Sequence, residues 1–263
     1  MPPPVDAPLI SAEGVTRMFR RGSIFHGRST VAAVADVSLA VAPGEVLGLI
    51  GESGSGKSTL GRLLLGLVPP TAGIVRYRGT ALASALPRDL RRRLQIIHQN
   101  PMGALDPRMT VRRALDEPLA IHRFGNRAER LERVRLQLDR VGLRAEHLER
   151  YPHELSGGQR QRVCIARALV LDPEFVVADE PVSALDVSIQ AQILNLLRGL
   201  QQDHGFTMLF VSHDLSVVNY IADRVAVMHD GRIVEQGLRK EVLFQPNHAY
   251  TRSLLAATAA LRT

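Results

Sequence analysis

Nine residues constrain this chain more than the rest together. Gly51-Glu52-Ser53-Gly54-Ser55-Gly56-Lys57-Ser58-Thr59 fits the phosphate-loop pattern G-x-x-x-x-G-K-[ST] without a gap. Before it, Glu45-Val46-Leu47-Gly48-Leu49-Ile50 is short and apolar enough for a buried parallel strand. After it, Leu60-Gly61-Arg62-Leu63-Leu64-Leu65-Gly66-Leu67 reads as a helix stopped by Pro69-Pro70. Strand, glycine loop and helix form the context in which the loop's amides converge on one anionic oxygen cluster, with the helix dipole behind them. Lys57 then falls between β- and γ-phosphates and the Ser58 hydroxyl on Mg²⁺. Lys57 and Lys240 are the only lysines among 33 basic residues. A chain this rich in arginine keeps a lysine where a compact ammonium fits and a planar guanidinium does not.

With 263 residues, the chain has room for one large α/β domain carrying an inserted subdomain. It is 45% hydrophobic but only 4% aromatic and has no Trp, which predicts an aliphatic core. The formal net charge of +7 sits mostly in solvated helix faces such as Arg127–Val134, where Glu129 and Arg133 are spaced to pair. Aromatics do not interleave with the basic residues, which argues against a nucleic-acid partner. Cys164 stands alone, so the chain cannot form an internal disulfide or a four-thiolate cluster. The opening Met1-Pro2-Pro3-Pro4 lacks a signal peptide's pattern, and no apolar run reaches the 18 or so residues that span a bilayer. The expectation is a soluble chain that reaches any membrane through a partner.

In chain order, Leu9–Phe19 and Val31–Val41 read as N-terminal strands joined by a loop over Arg20–Thr30. Gly73–Gly79 and Leu94–Gln99 add strands. Residues Thr110–Tyr151 turn to helical spacing, with Leu131, Val134, Leu138 and Val141 on one face and Gly142 as the stop. Strands at Phe175–Asp179, Phe206–Val211 and Arg224–Met228 then alternate with helices near 159–171, 186–203 and 214–222. This alternation predicts a parallel sheet covered on both faces.

Four further places carry chemistry if the loop is real. Asp179 and Glu180 close an apolar strand, where the first carboxylate can hold Mg²⁺ and the second can activate a water. Taken alone, they would be an ordinary acidic turn before Pro181. Gln99 also ends a strand, within reach of metal or water at the γ-phosphate, and His213 ends another with an imidazole able to meet that phosphate. Leu155-Ser156-Gly157-Gly158-Gln159 opens a helix with a Ser cap and two glycines, a second anion site built like the first. One triphosphate cannot easily use two distant helix starts of one domain. Two copies related by a twofold can, each closing Ser156–Gly158 on the other's nucleotide.

Together these residues resemble the ATPase subunit of ATP-binding cassette (ABC) transporters. Gly51–Thr59 matches that family's Walker A, Leu155–Gln159 its LSGGQ sequence, and Phe175–Glu180 its Walker B with the catalytic glutamate. Ser183-Ala184-Leu185-Asp186 matches the D-loop, Gln99 the Q-loop and His213 the switch histidine. The resemblance covers nearly the whole chain. It implies a P-loop, RecA-like parallel-sheet core with an N-terminal antiparallel β subdomain and an inserted α-helical subdomain. The core would comprise residues 9–98 and 160–236, the helical subdomain 100–159 and a C-terminal tail 237–263. Closer still, Tyr151–Leu155, Ala178–Gln192 and Phe244–Leu255 resemble the peptide/nickel importer branch. His98 and Asn100 depart from the Phe and Asp often found beside this glutamine. The single cysteine rules out the iron–sulfur cluster of some relatives.

The resemblance implies ATP and Mg²⁺, a second ATPase subunit of a different chain, two membrane permease subunits and an extracytoplasmic binding protein, on the cytoplasmic face of the inner membrane. Glu180 would be the catalytic base, with Lys57, Gln99 and His213 reading the γ-phosphate. Ser58, Gln99 and Asp179 would hold the metal. Ser156, Gly157, Gly158, Gln159 and Asp186 would act in trans. Phe19 would stack on adenine, with Phe25 in the same loop region as the alternative. Transmission to the membrane partners is assigned to Pro101–Met109. Peptide import is the expected activity. Import of nickel, a metallophore or an opine, export, and a soluble role on DNA or ribosomes are the rivals.

Overall fold

The computed structural model describes residues 7–21 and 29–260. The Arg20–Thr30 loop, with Phe25 in it, lies largely outside the described residues, as do Met1–Pro4. The chain divides into two compact units: residues 1–86 with 207–263, and residues 87–206.

The first unit holds two sheets. In one, β1 (Ile10–Arg21) lies between β2 (Ser29–Val41) and β4 (Ala72–Tyr77), with β5 (Thr80–Ala81) at the edge, and every pairing is antiparallel. In the other, β3 (Val46–Ile50) runs parallel to both β8 (Thr207–Val211) and β9 (Arg224–His229), and β10 (Arg232–Leu238) returns antiparallel to β9. The antiparallel β10 was not foreseen; Asp230 and Gly231, both at positive φ, turn the chain back there. Every residue of β3 and β8 is buried, so neither shows the alternation that marks a half-buried strand. Gly48 in β3 leaves room for α8 (Leu215–Ile221): a Cβ there would come within 2.5 Å of Val218 Cγ1. The helix α1 (Lys57–Leu64) follows β3, and α9 (Arg239–Phe244) and α10 (Ala249–Ala260) follow β10.

The second unit pairs β6 (Leu94–Ile97), which follows α2 (Arg88–Arg93), in parallel with β7 (Phe175–Asp179). Between them come α3 (Pro101–Ala104), α4 (Val111–Ile121), α5 (Arg127–Arg140) and α6 (Gly157–Leu169), and after β7 the long α7 (Val187–His204). The helical spacing expected from Thr110 onward is present, with Val134, Leu138 and Val141 buried. Glu129 and Arg133 are used differently from the expected pair. Glu129 completes a capping box at the start of α5, accepting the Asn126 amide at 2.7 Å. Arg133 bonds the Val170 carbonyl at 2.8 Å, pairs with Asp172 and lies over the Phe124 ring. The arginine thus staples α5 to the end of α6 instead of decorating a solvated face.

Candidate functional site

The phosphate loop is built between the buried end of β3 and the first turn of α1. Gly51, Gly54 and Gly56 all sit at positive φ (149°, 84° and 104°), which lets the chain curl tightly enough to begin the helix at Lys57. Two of them are also pressed against backbone. A Cβ on Gly51 would lie 2.1 Å from the Met228 carbonyl oxygen, and one on Gly56 would lie 2.1 Å from that of Ala33. The turn after β9 holds the loop from the side as well, because the Gly231 amide donates to the Ser55 carbonyl at 3.0 Å.

Lys57 is only 5% exposed, in a chain whose other charged side chains mostly face water. Its ammonium donates to the Gly51 carbonyl at 2.8 Å, the Glu52 carbonyl at 2.6 Å and Ser55 Oγ at 3.4 Å. The charge therefore sits at the centre of the ring that the glycines make, while Ser58 and Thr59 are half-buried just beyond it. Glycines fixed by backbone contact and a buried ammonium at a helix start fit a polyphosphate well.

His213 leaves the C-terminal end of β8, whose Val211 pairs with Leu49 of β3. It therefore emerges at the sheet edge from which the phosphate loop springs, the edge where open α/β sheets bind ligands. Its side chain is exposed, and Asp214 beside it caps α8 through the Ser216 amide at 2.8 Å. Phe19 on β1 pairs with Val31 on β2, two residues along from Ala33, the residue that abuts Gly56. It is 41% exposed, and the Arg17 guanidinium covers one face at 4.9 Å.

In the second unit, Gln99 and Glu180 meet. Gln99 Nε2 donates to Glu180 Oε2 at 2.9 Å, joining the segments after β6 and β7. Asp179, the last residue of β7, is buried at 7% exposure. Glu180 sits at φ 47°, a left-handed conformation that costs a non-glycine residue of order 1–3 kcal/mol. Its carbonyl is tied back by the Ser183 hydroxyl at 3.1 Å, so the strained turn is fixed. Strain of this kind gathers at functional positions, where the surrounding structure imposes the geometry.

Ser156 caps α6: its Oγ accepts the Gln159 amide at 3.2 Å, and Gln159 Oε1 accepts the Ser156 amide at 3.0 Å. Gly158 is buried, and a Cβ there would meet Ile189 Cγ2 at 2.6 Å, so the glycine lets the start of α6 pack against α7. Asp186 caps α7 through the Ile189 amide at 3.0 Å and is itself exposed. Asn100, flagged as a departure, caps α3 by accepting the Met102 amide at 3.0 Å. Among the described residues no three metal-ligating side chains cluster, and no helix is long and apolar enough to cross a membrane.

One contact at the loop was not anticipated. Tyr250 of α10 stacks on His229, and its hydroxyl accepts the Glu52 amide at 3.4 Å. Nothing local in the sequence signals a contact between residues 198 positions apart.

Comparison with known proteins agrees with this geometry. The ABC transporter family model matches residues 34–183. A protein of Brucella ovis named as a peptide import ATP-binding protein is 51% identical over 255 residues, covering 96% of this chain and 79% of its own length. The glutathione import ATP-binding protein GsiA of Pectobacterium atrosepticum is 51% identical over 255 residues, which are 95% of this chain and 41% of that longer protein. Among solved structures, an ATP-binding cassette captured as a dimer in a post-hydrolysis state with ADP and Pi superposes with a TM-score of 0.77 at 30% identity, covering 88% of this chain and 98% of the other. The cbiO1 of Clostridium perfringens, part of the ABC transporter complex cbiONQ, gives a TM-score of 0.77 at 27% identity over 98% and 96% of the two chains.

Proposed function

The chain belongs to the ABC transporter family and is an ATP-binding ATPase, and on that premise we propose that it drives import of peptides across a membrane. The observation that carries the ATPase reading is the cradle around Lys57, a buried ammonium ringed by loop carbonyls at a helix start. Support for peptides as cargo comes from the relatives named for peptide and glutathione import at 51% identity. Nickel, metallophore or opine import by the same engine is the second reading, since Tyr151–Leu155, Ala178–Gln192 and Phe244–Leu255 resemble the peptide/nickel importer branch as a whole.

In this reading the loop amides and Lys57 grip the β- and γ-phosphates, and His213 meets the γ-phosphate from the same sheet edge. Phe19 offers its open ring face to adenine. Ser58, Asp179 and Gln99 are the residues that would hold Mg²⁺, which when bound neutralises charge on the phosphate oxygens. Glu180, aimed by Gln99, takes the proton of the attacking water. Ser156, Gly157, Gly158, Gln159 and Asp186 serve the nucleotide of a second subunit. A solved neighbour that is a dimer with ADP and Pi supports that sandwich. The domain division expected above, the two permease subunits, the extracytoplasmic binding protein and a place on the cytoplasmic face of the inner membrane belong to the same proposal. So does transmission through Pro101–Met109.

The test has two arms. Glu180→Gln should keep ATP binding and lose on the order of 10²–10⁴ in turnover; near-normal hydrolysis removes Glu180 as the base. Deleting the chain from its host should abolish uptake of labelled dipeptides or tripeptides and leave nickel accumulation intact. The reverse pattern would assign the second reading.

A further inference from the structure

The C-terminal segment is fastened to the first unit by its own polar contacts. Glu235 of β10 accepts the amides of Asn247 at 2.8 Å and His248 at 3.2 Å, the two residues ahead of α10. A carboxylate at a helix start satisfies donors that the helix cannot and complements its dipole. Arg252 closes the other side, donating to the Pro246 and Asn247 carbonyls at 3.2 and 2.7 Å. With its entry fixed in this way, α10 presents Tyr250 to the end of β9. The Tyr250 and His229 rings stack with centroids 3.8 Å apart and planes 26° apart.

His229 borders the turn that supports the phosphate loop, since Gly231, two residues on, donates to the Ser55 carbonyl. The Tyr250 hydroxyl reaches the loop directly, accepting the Glu52 amide at 3.4 Å. That bond is long, so the ring stack supplies most of the hold and the hydroxyl aims it. The other face of the same residue is engaged too: the Glu52 carbonyl accepts from Lys57 Nζ at 2.6 Å and from the Ser55 amide at 3.2 Å. Glu52 therefore connects α10 to the ammonium that would grip the phosphates.

We propose that Tyr250 is a positioning residue for nucleotide binding, which sets the phosphate loop and Lys57 through the Glu52 peptide without touching the nucleotide. Burial pushes the Tyr250 phenol up from its ordinary value; the bond from the Glu52 amide offsets part of that rise, and the Glu52 and Asp230 carboxylates add to it. The ring is accordingly a neutral hydrogen-bonding group at any physiological pH. The inference rests on the ATPase reading and goes beyond it, assigning part of the nucleotide grip to a helix outside the family's nucleotide motifs.

The experiment uses the purified full chain, a ribose-labelled fluorescent ATP with Mg²⁺, and steady-state hydrolysis. Tyr250→Ala should weaken fluorescent-ATP binding about three- to tenfold and raise KM by the same factor, with kcat within about twofold of the parent. Tyr250→Phe, which keeps the stack but removes the bond from the Glu52 amide, should weaken binding and raise KM together, about two- to fivefold, with the melting temperature close to the parent's. Glu235→Ala, which frees the start of α10, should reproduce Tyr250→Ala, and the double variant should be no worse than either single one. A residue that merely glues the tail down would lower the melting temperature and leave KM alone. Unchanged affinity and KM in Tyr250→Ala, or a fall in kcat at constant KM, overturns the proposal. If Tyr250→Ala does not fold, Glu235→Ala carries the same two readouts. A parent chain that binds no ATP overturns the ATPase reading as well, whereas a binding parent with unaffected variants overturns only the role of Tyr250.

Discussion

Replacing Gly56 by alanine separates two reasons for a glycine in the phosphate loop. The residue sits at φ 104°, and its Cβ would lie 2.1 Å from the Ala33 carbonyl oxygen on β2. The backbone conformation alone costs an alanine about 1–2 kcal/mol. A carbon and a carbonyl oxygen rest no closer than about 3.3 Å, so either the β2 backbone or the loop at the start of α1 must also give by more than about 1 Å. The Met228 Cε, 2.9 Å from the same point, can simply swing away. Gly54 is the internal control, because it too is at positive φ, 84°, but its Cβ would meet nothing within 4 Å.

Gly54→Ala should therefore show conformational strain alone, about 1–2 kcal/mol. Gly56→Ala adds the displaced backbone and should total on the order of 3–5 kcal/mol. For a chain of this size each kcal/mol moves the melting temperature by about 2–4 °C. The drops to look for by calorimetry are thus about 2–8 °C for Gly54→Ala and about 6–20 °C for Gly56→Ala. Fluorescent-ATP titration should show binding reduced in the first variant and lost in the second, since the loop can escape β2 only by opening the ring around Lys57. Equal melting temperatures for the two variants would refute the claim that β2 buttresses the loop.

Three other outcomes follow from particular contacts. Glu180→Gly should raise the melting temperature, because glycine releases the strain of φ 47° at about 1 kcal/mol or more, while hydrolysis is lost; a fall in stability would show that the carboxylate's bond to Gln99 outweighs the strain. Burial pushes the Cys164 thiol up to about 12, with Arg167 offsetting part of the effect, so at pH 8 iodoacetamide should label it only after unfolding, as read by mass spectrometry. Burial alone would raise the Glu235 carboxyl, but the Thr251 hydroxyl, the Asn247 and His248 amides and the His248 ring hold it below the ordinary carboxylate range. A lowered folded-state value means that the stabilisation is complete above the unfolded carboxylate's titration and is lost as pH falls through the folded one. Hydrogen exchange at the start of α10 should accordingly accelerate below that range in the parent chain and be pH-independent there in Glu235→Gln.

The elements most legible in the sequence were those whose signal is local. A glycine loop between an apolar run and a helical stretch has one physical meaning, and β3 and the loop appear where that meaning puts them; α1 runs Lys57–Leu64, earlier than the Leu60–Leu67 read from the sequence, because Gly66 at φ 59° closes it ahead of the prolines. Ser156 and Asp186 were equally readable, since a cap is decided within three residues of the helix start. What escaped was decided by distant partners. The spacing of Glu129 and Arg133 suggested a surface pair, but each found a better use in tertiary contact, one in a capping box and the other across to the end of α6. The return of β10 is different: Asp230-Gly231, with positive φ at both residues, is a local signal for a tight hairpin turn that the strand reading above did not use.

The same reasoning explains why half of the loop's support was invisible beforehand. A P-loop pattern specifies donors that face a phosphate but does not say what holds the peptide units facing away. Those are the Gly51 and Gly56 backbones against Met228 and Ala33, the Ser55 carbonyl on Gly231, and the Glu52 amide on Tyr250. All four contacts come from outside the motif, from β2, β9, the β9–β10 turn and α10. A loop rich in glycine is conformationally permissive and cannot fix its own shape. The shape must be imposed by neighbours, and in this chain the neighbours include the C-terminal helix. Any force that lifts α10 from His229 would therefore be felt at Lys57, through the peptide of Glu52.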